Sequence, residues 1–391
     1  MSTTGVAVLG STGSIGVQAL EVVQASGSRF RVVALAARRS ADRLAAQARE
    51  FRPARVALVE PAEAAGLARD LPPGCRLEVG PEAVADLGAA EGAEVVLNGV
   101  TGSVGLAPTL RALGAGRRLA LANKESLIVG GELVTRLARP GQIVPVDSEH
   151  SGLAQCLRAG QTEEVARLVV TASGGPFRGA TPADLATVTP EDALAHPTWA
   201  MGPVITVNSA TLMNRGLEVI EAHLLFGLPF ERIEVVVHPQ SVVHALVEFA
   251  DGSSIAQLSM PDMRLPIGLA LGWPERSHVP VGQLDWTRAH TLEFAPVDRA
   301  TFPLLDLAVA AGRAGGTAPA VLNAANEEAV GAFLARRLPF PGIAEVVTRV
   351  LDAHTQPAEL DLAVVLAAEQ WSRDLARTLV EDLSVTRRPN G

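Results

Sequence analysis

Residues 10–16 read Gly-Ser-Thr-Gly-Ser-Ile-Gly, and this stretch decides the fold class of the chain. It follows a short apolar segment, residues 6–9, and precedes an apolar segment with helical period, so it lies at a strand-to-helix joint. Glycines at such a joint let the backbone turn tightly and bring the free N–H groups of a helix N-terminus close to an anion. The spacing GxxGxxG is a weaker signal than GxGxxG, and a purely structural turn is the competing interpretation.

Around this loop, short Val- and Leu-rich segments alternate with Ala-rich amphipathic stretches through residues 1–147. The alternation predicts βα units in a Rossmann-like, doubly wound parallel sheet, whose buried strands are apolar along their length. We predict strands at residues 6–9, 32–35, 55–59, 94–97, 118–121 and 142–146, with helices at 41–51 and 127–139 among those between them. The chain is therefore assigned to the α/β class, with residues 1–147 as its dinucleotide-binding domain.

Beyond residue 147 the pattern changes to a central α+β catalytic domain, residues 148–272. Its longer strands are predicted at 165–171, 233–238, 242–249 and 254–259, around one helix at 209–226. Residues 273–302 are rich in proline and polar residues without a sustained period, which predicts a linker. Residues 303–391 predict a C-terminal four-helix bundle. Its helices are expected at about 304–314, 318–336, 341–353 and 358–384.

Composition limits the classes of function. The chain has 391 residues, of which 48% are hydrophobic and 19% charged, and its formal net charge is −9. This charge argues against binding to nucleic acid or to an anionic membrane surface, and the apolar runs are too short to span a bilayer. Cys75 and Cys156 are far apart in the chain and form no CxxC pair. We expect free thiols, a cytoplasmic location and no signal or transit peptide.

The end of the second predicted strand favours one nicotinamide cofactor. A site that prefers NADH usually places Asp or Glu there to bind the ribose hydroxyls. In this chain Arg38, Arg39 and Ser40 supply two cations and a hydroxyl group, which suit a 2′-phosphate. The sequence therefore predicts NADPH, with Gly10 opening the loop that holds its pyrophosphate.

Three carboxylates are candidate metal ligands. Asp147 and Glu149 follow the last strand of the first domain, and residues two apart on an extended strand end point to the same side. Glu218 lies on the predicted long helix. Carboxylates with open coordination positions favour a hard cation, Mg²⁺ or Mn²⁺, and the sequence has no Cys/His set at zinc spacing. A DxE pair alone is more often a solvated strand end, so the assignment depends on its surroundings.

Those surroundings predict a phosphate site. Ser173 lies in a polar turn after a predicted strand, and Ser209 is predicted to begin the long helix, where a hydroxyl and exposed N–H groups can hold an anion. Asn214 and Arg215 lie about one turn further along, and Glu218 is on the same helix face as Asn214. Ordinary N-capping by Ser209 is the competing interpretation.

Two further segments are predicted to act on a substrate. Lys124 is the only lysine among the 33 basic residues, and it lies at a strand-to-helix junction. Because an ammonium and a guanidinium are not interchangeable, we interpret Lys124 as functional rather than as a chance placement on a solvated helix. Residues 196–204, His-Pro-Thr-Trp-Ala-Met-Gly-Pro-Val, predict a flap that closes over the substrate. A tryptophan docked in the core is an equally weighted interpretation of this segment.

Together these motifs closely resemble the 1-deoxy-D-xylulose 5-phosphate reductoisomerase family. The matching stretches occur in the family's order: GSTGSIG at 10–16, ANKESL at 122–127, PVDSEHS at 145–151, ASGGPF at 172–177, HPTWAMG at 196–202, NSATLMNRGLE at 208–218, HPQSVVH at 238–244, PDMRLPI at 261–267 and NAANEEAV at 323–330. The resemblance implies a homodimer that uses NADPH and a divalent metal. It implies conversion of 1-deoxy-D-xylulose 5-phosphate to 2-C-methyl-D-erythritol 4-phosphate, on the route to isoprenoid precursors, by rearrangement and then reduction.

The resemblance also implies roles for individual residues. The metal positions are Asp147, Glu149 and Glu218, and the phosphate positions are Ser173, Ser209, Asn214 and Arg215. Further substrate positions are Lys124, Ser148 and His196, with Trp199 and Met201 in the flap, and catalytic roles are assigned to Lys124, Glu149 and His196. The cofactor positions, besides Gly10 and Arg38, are Thr12, Gly13, Ser14, Ile15, Arg39, Ser40, Asn123, Glu125, Gly202 and Met263.

Three departures from the family pattern are present. Arg215 replaces a usual Lys, Pro203-Val204 replaces a common basic pair, and Arg38 replaces a Gly. These departures put the affinities for substrate and cofactor in question. Two other functions stay open: a simple NADP-dependent sugar-phosphate or semialdehyde dehydrogenase without rearrangement, which needs no metal, and an NADPH-binding sensor or scaffold, which binds without turnover.

Overall fold

The structure, a computed structural model, describes residues 3–195 and 201–385. Internal contacts divide the chain into two compact units, which are described separately. Unit 1 comprises Met1–Leu127, Val134–Gln155 and Asp262–Asp285, and unit 2 comprises Ile128–Leu133, Cys156–Pro261 and Trp286–Gly391. Within the described ranges, no helix combines the length and the apolar character that crossing a bilayer requires.

Unit 1 is built on a parallel sheet of seven described strands. They are β1 (Thr4–Leu9), β2 (Phe30–Ala37), β3 (Arg55–Leu58), β4 (Arg76–Val79), β5 (Val95–Asn98), β6 (Arg118–Leu121) and β7 (Ile143–Pro145). Their spatial order is β4-β3-β2-β1-β5-β6-β7, and neighbouring strands pair in parallel. The chain winds from β1 outward to β4, then returns to β5 on the other side of β1 and winds outward to β7. This is the doubly wound arrangement predicted from the sequence.

Helices connect these strands and continue the chain into unit 2. They are α1 (Ser14–Ala25), α2 (Ala41–Phe51), α3 (Ala64–Asp70), α4 (Pro81–Asp86), α5 (Leu106–Gly114), α6 (Lys124–Leu137) and α7 (Ser148–Cys156). Side chains from β1, β2, α1 and α2, including Val8, Leu35, Val22 and Leu44, are buried together in the core of unit 1. The central strands are apolar throughout because both of their faces are covered.

Unit 2 contains a mixed sheet of five described strands. They are β8 (Val165–Ala172), β9 (Ile233–Val237), β10 (Val243–Phe249), β11 (Ser254–Leu258) and β12 (Ala295–Pro296). The spatial order is β11-β10-β8-β9-β12, in which β8 and β9 are parallel and the other pairs are antiparallel. The central region is therefore α+β, as predicted. β12 lies within the segment 273–302 and pairs with β9, so part of the predicted linker is attached to the sheet.

The remaining helices complete both units. They are α8 (Pro182–Leu185), α9 (Pro190–Leu194), α10 (Pro203–Ala210), α11 (Met213–Phe226), α12 (Arg264–Gly272), α13 (Leu304–Ala314), α14 (Ala318–Leu334), α15 (Phe340–Ala353) and α16 (Leu362–Val385). α14 packs against α13, α15 and α16, and Leu322 and Phe333 on α14 are buried. The four predicted C-terminal helices are thus present and pack together.

The helix predicted at 209–226 is in fact two helices. α10 ends at Ala210 and α11 begins at Met213, because Leu212 between them has a left-handed backbone with φ of 60°. Pro203 begins α10, since a proline is favoured at the first helical position, where its missing N–H is not needed. Ser209 therefore lies in the last turn of α10, and the prediction that it begins a helix was wrong.

Asp147 and Glu149 do not lie on an extended strand. β7 ends at Pro145, and α7 begins at Ser148. The carbonyl oxygen of Asp147 accepts the N–H of Ser151 at 2.8 Å, as that of a residue preceding a helix does. Aspartate is favoured at this position, which accounts for the early helix. The assumed extended strand was therefore wrong, but the predicted convergence is observed: carboxylate oxygens of Asp147 and Glu149 lie within 4.8 Å of each other.

β4 and α12 are two of the elements that were not predicted. β4 has only four residues and alternates charged with apolar side chains, which leaves it partly exposed at the sheet edge. α12 contains a proline and two glycines in nine residues, so its helical propensity is low. It forms because Ile267, Ala270 and Leu271 pack into the apolar core of unit 1.

Candidate active site

The glycine loop of unit 1 has the geometry of an anion cradle. Gly10 has φ of 79°, and a Cβ placed on it would lie 2.6 Å from the carbonyl oxygen of Gly99. A Cβ on Gly16 would lie 2.3 Å from the carbonyl oxygen of Gly10, so only glycine permits this close turn. Gly13 precedes α1, and within this described segment no side chain caps the helix and no acidic residue stands in its first turn. The first-turn N–H groups can therefore receive a pyrophosphate.

The loop lies where such a ligand is expected in an open parallel sheet. β1 has β2 on one side and β5 on the other, so the winding direction reverses beside it. In doubly wound sheets, ligands bind outside the carboxyl ends of the strands at this switch point. Thr12, Ser14 and Ile15 follow the end of β1 directly and are at least partly exposed, as cofactor contacts should be.

Arg38, Arg39 and Ser40 follow β2 and are all exposed. The Nε of Arg38 donates to Glu60 at 3.3 Å, so the side chain of Arg38 has a carboxylate partner within the protein. Arg39 and Ser40 are therefore the stronger candidates to receive a 2′-phosphate. Met263, a further predicted cofactor residue, is half-buried against the core of unit 1 just before α12.

Asn123 and Glu125 stabilise the start of α6. The Oδ1 of Asn123 accepts the N–H of Ser126 at 3.0 Å, which caps the helix. The Nδ2 of Asn123 donates to the carbonyl oxygen of Gly102 and to Glu125, both at 2.9 Å. The side chain of Asn123, 2% exposed, is therefore engaged by the protein, and its predicted contact with the cofactor stays a prediction.

A buried network that sequence reasoning missed supports the same helix start. The Nδ2 of Asn98, at the end of β5, donates to Gly105 and to the Thr109 hydroxyl, both at 2.9 Å. The Thr109 and Ser126 hydroxyls are 3.0 Å apart, and the Ser126 hydroxyl donates to the carbonyl oxygen of Asn123 at 2.9 Å. Because these side chains form one hydrogen-bonded chain, the ends of β5 and β6 are fixed relative to each other.

Lys124 and Asp147 form an ion pair at the carboxyl ends of β6 and β7. The two strands are neighbours in the sheet, so the residues that follow them meet at one edge. Burial by itself raises the pKa of Asp147, but the Lys124 ammonium and the His150 side chain outweigh it. The pKa of Asp147 therefore lies well below its ordinary value, and the carboxylate is ionised at neutral pH.

Glu149 is on the first turn of α7, two residues after Asp147. The Ser148 hydroxyl donates to its Oε2 at 2.5 Å. Both side chains are half-buried. An ionised Asp147 and a hydrogen-bonded Glu149 give this edge of unit 1 the oxygen donors that a hard cation requires.

In unit 2, the polar turn after β8 lies against Ser209. The N–H of Gly175 donates to the Ser173 hydroxyl oxygen at 3.2 Å. Gly175 has φ of 65°, and a Cβ on it would lie 2.9 Å from the carbonyl oxygen of Ser209. The absence of a side chain at Gly175 thus brings the turn that carries Ser173 close to the end of α10, where Ser209 lies. The two predicted phosphate ligands are on neighbouring segments.

Asn214, Arg215 and Glu218 form one polar group on α11. The Nδ2 of Asn214 donates to Glu218 Oε1 at 2.5 Å, and Arg215 forms an ion pair with Glu218 Oε2. Glu218 is 1% exposed, and Arg215 is 7% exposed. A buried carboxylate held by an amide and a guanidinium stays oriented, which a metal ligand or an anion site requires.

Unit 2 also contains a cavity of about 510 Å³ beside Ser173. Arg178 and Asp192 line it, and neither was singled out from the sequence because no motif marks them. The volume is in the range of small-ligand sites. Arg178 therefore adds a second guanidinium to the residues available for an anion in this unit.

The predicted flap is described only in part. His196 and Trp199 lie outside the described residues. Gly202, predicted to contact the cofactor, precedes α10 in unit 2, and Pro203-Val204, the predicted end of the flap, form the first turn of that helix. The last two residues of the predicted flap are therefore helical, and the flap itself stays a prediction.

The doubly wound sheet, the glycine loop at its switch point and the charged residues along the adjoining strand ends define a class: dinucleotide-binding α/β oxidoreductases. Comparison with known proteins narrows this class. A family model described as 1-deoxy-D-xylulose 5-phosphate reductoisomerase matches residues 6–131. Two models of C-terminal domains of that reductoisomerase match residues 143–226 and 258–375.

Individual proteins agree with the family models. A 1-deoxy-D-xylulose 5-phosphate reductoisomerase from Kitasatospora griseola is 59% identical over 385 residues, which cover 95% of this chain and 99% of that protein. A solved structure of the reductoisomerase from Zymomonas mobilis in complex with NADPH has a TM-score of 0.91 and 41% identity, covering 98% of this chain and 100% of the other. Another, in complex with NADPH, fosmidomycin and magnesium, has a TM-score of 0.91 and 37% identity, covering 97% and 98%. The chain belongs to the 1-deoxy-D-xylulose 5-phosphate reductoisomerase family.

Proposed function

We propose that this chain converts 1-deoxy-D-xylulose 5-phosphate to 2-C-methyl-D-erythritol 4-phosphate, with NADPH as reductant and a divalent metal ion as cofactor. Family membership over nearly the whole chain supports the reaction. The observation that carries it is the buried polar group on α11, where Glu218 is held by Asn214 and Arg215. A simple dehydrogenase that does not rearrange its substrate needs a dinucleotide loop, but it does not also need a buried carboxylate held by an amide and a guanidinium.

The proposed metal ligands are Asp147, Glu149 and Glu218. Their oxygen donors fit Mg²⁺ or Mn²⁺, and the low pKa of Asp147 keeps one of them charged at neutral pH. When bound, such an ion polarises the carbonyl and hydroxyl oxygens of the substrate as a Lewis acid. Lys124 holds Asp147 in place through its ion pair and brings an ammonium to the same edge.

The phosphate of the substrate is proposed to bind in unit 2. Ser173 and Ser209 supply hydroxyl groups, Asn214 supplies an amide and Arg215 supplies a charged fork. Arg215 replaces the usual lysine of the family, so it can hold phosphate through two parallel N–H donors. Holding the phosphate fixes the position of the reacting carbons, which lowers the entropic cost of the rearrangement.

NADPH is proposed to bind unit 1 with its pyrophosphate on the glycine loop and its 2′-phosphate near Arg39 and Ser40. Its nicotinamide ring supplies the hydride. The segment 196–204, with His196 and Trp199, is proposed to exclude water from the site.

The division into a cofactor domain (1–147), a catalytic domain (148–272), a linker (273–302) and a helical bundle (303–391) stays part of the proposal. The homodimer and the cytoplasmic location are also part of the proposal. The homodimer rests on the resemblance, and the location rests on the two free cysteines. Light scattering of the purified chain tests the dimer.

The test is the consumption of NADPH in the presence of 1-deoxy-D-xylulose 5-phosphate, with the carbon skeleton of the product determined by NMR. We expect a branched product. A straight-chain reduced sugar phosphate would instead support the simple dehydrogenase, and NADPH binding without any product would support the sensor or scaffold.

A further inference from the structure

Gln47, on α2, contacts the glycine loop through Ser11. Its Oε1 accepts the Ser11 hydroxyl at 2.8 Å, and its Nε2 donates to the Ser11 carbonyl oxygen, also at 2.8 Å. Ser11 is fully buried, and Gln47 is 8% exposed. Two hydrogen bonds in opposite directions between the same two residues fix both the side chain and the backbone of Ser11.

The other contacts of Ser11 come from two different elements. Its N–H donates to the carbonyl oxygen of Ala36, at the end of β2, at 2.9 Å. On the side of α1, a Cβ on Gly16 would lie 2.4 Å from the Cα of Ser11, so the first turn of α1 is in close contact with it. Ser11 is therefore held by β2, α1 and α2 together. Because its hydroxyl donates to Gln47, Ser11 acts as an anchor of the loop rather than as a ligand.

A second residue of α2 reaches the same loop. The Nη1 of Arg43 donates to the carbonyl oxygen of Thr12 at 2.7 Å. Arg43 is four residues before Gln47, so both side chains leave the same face of α2. The carbonyl groups of Ser11 and Thr12 are thus turned toward α2. Because a peptide N–H points opposite to the carbonyl of the same peptide group, the N–H of Thr12 points away from α2. The N–H of Gly13 donates to the carbonyl oxygen of Gly10 at 3.0 Å, which closes the turn before α1.

We propose that Gln47 is a positioning residue for the dinucleotide: it orients Ser11 and so keeps the N–H groups of Thr12, Ser14 and Ile15 directed at the pyrophosphate. This inference rests on the proposed use of NADPH. The amide side chain of Gln47 offers, in one planar group, both the acceptor for the Ser11 hydroxyl and the donor for the Ser11 carbonyl oxygen. Replacing it by an apolar residue leaves a buried carbonyl and a buried hydroxyl without partners, and the loop relaxes to satisfy them.

Calorimetric titration of the full-length protein with NADPH and with NADH tests the proposal. The variants are Q47L, S11A, the double variant S11A/Q47L and the control Q24L. Gln24 is a matched control because its Nε2 joins α1 to Glu50 on α2 at 3.2 Å, but it is exposed and does not contact the loop. We expect Q47L to bind both dinucleotides about tenfold more weakly, the effect of about one hydrogen bond, since both share the pyrophosphate. Q24L should bind them as the wild type does.

The double variant tests whether Gln47 acts through Ser11. S11A removes only the hydroxyl arm and should weaken binding less than Q47L does, and adding it to Q47L should cause little further loss. Wild-type affinity in Q47L, a loss confined to NADPH, or full additivity in the double variant would each overturn the proposal. If thermal unfolding shows that Q47L is not folded, the NADPH affinity of S11A is the test. Unchanged NADPH affinity in a folded S11A would contradict the proposal that Ser11 anchors the loop. Failure of the wild type itself to bind NADPH would instead reject the proposed function.

Discussion

Lys124, the only lysine of the chain, is paired with Asp147 across the carboxyl ends of two neighbouring strands, β6 and β7. Lys124 is 9% exposed, so the pair forms largely away from solvent. Its consequence is electrostatic: burial alone would raise the pKa of Asp147, and the ammonium reverses this. The carboxylate is therefore available to a cation at neutral pH, and an arginine fork would not present the same compact charge.

Replacing Lys124 by methionine should separate catalysis from cofactor binding. Without the ammonium, the pKa of Asp147 rises and its carboxylate loses an orienting partner. We expect kcat of K124M to fall about 100-fold, the usual size of losing one electrostatic contact in an active site. Steady-state kinetics at saturating NADPH measure this, and calorimetry should show unchanged NADPH affinity. A kcat close to that of the wild type would contradict the role of the pair.

A methyl group on Gly16 should damage the cofactor site, whereas one on Gly114 should not. The Cβ of G16A would collide with the backbone of Gly10 and Ser11, so the loop must open. We expect NADPH affinity to fall at least about tenfold and the free energy of unfolding to fall by about 1–3 kcal/mol. In G114A the Cβ meets no atom within 4 Å, and alanine is the better helix former. Calorimetry and chemical denaturation of both variants distinguish a steric effect from a general effect of losing glycine.

Arg215 is expected to act on the phosphate of the substrate. R215M removes a charged donor and leaves the buried Glu218 without its cation, so KM for 1-deoxy-D-xylulose 5-phosphate should rise about 10- to 100-fold. R215K keeps the charge, so its KM should stay close to that of the wild type. R349Q, which removes an exposed arginine paired with Glu345 on α15, is the control. Equal KM values for R215M and the wild type would remove Arg215 from the phosphate site.

The pair of Arg55 and Glu78 should make stability depend on pH. Arg55 donates to both oxygens of Glu78 at 2.7 Å across β3 and β4. These hydrogen bonds are the main cause that lowers the pKa of Glu78 below its ordinary value. The stabilisation is therefore present above the unfolded-state pKa and is lost as the pH falls through the folded-state value. We expect E78Q to lower the free energy of unfolding by about 1 kcal/mol at neutral pH. In urea denaturation, its difference from the wild type should shrink as the pH falls; a constant difference would show that the charge is not involved.

The periodic elements were predictable because each is determined locally. The helix at 41–51 was predicted to the residue, since its apolar positions repeat at helical spacing between Ser40 and Arg52. The buried strands of unit 1 were predictable because parallel strands covered on both faces are apolar throughout. The glycine loop was predictable because positive φ and close backbone contact admit only glycine.

What failed depended on backbone geometry that spacing does not contain. Nothing in the sequence required Leu212 to adopt a left-handed conformation, so α10 and α11 were read as one helix that began at Ser209. Asp147 was placed on a strand because the apolar run before it gave no sign of where the strand ends. Gln47 was not identified because its partner, Ser11, is 36 residues away and meets it only in the folded sheet.

We propose above that Asp147, Glu149 and Glu218 hold one divalent ion. Electron paramagnetic resonance of Mn²⁺ titrated into the purified protein measures free ion directly and requires neither NADPH nor substrate. We expect one bound Mn²⁺ per chain in the wild type and in E359Q, which removes an exposed carboxylate elsewhere. The Mn²⁺ affinity should be at least about tenfold weaker in D147N, E149Q and E218Q. Wild-type Mn²⁺ affinity in E218Q would contradict it.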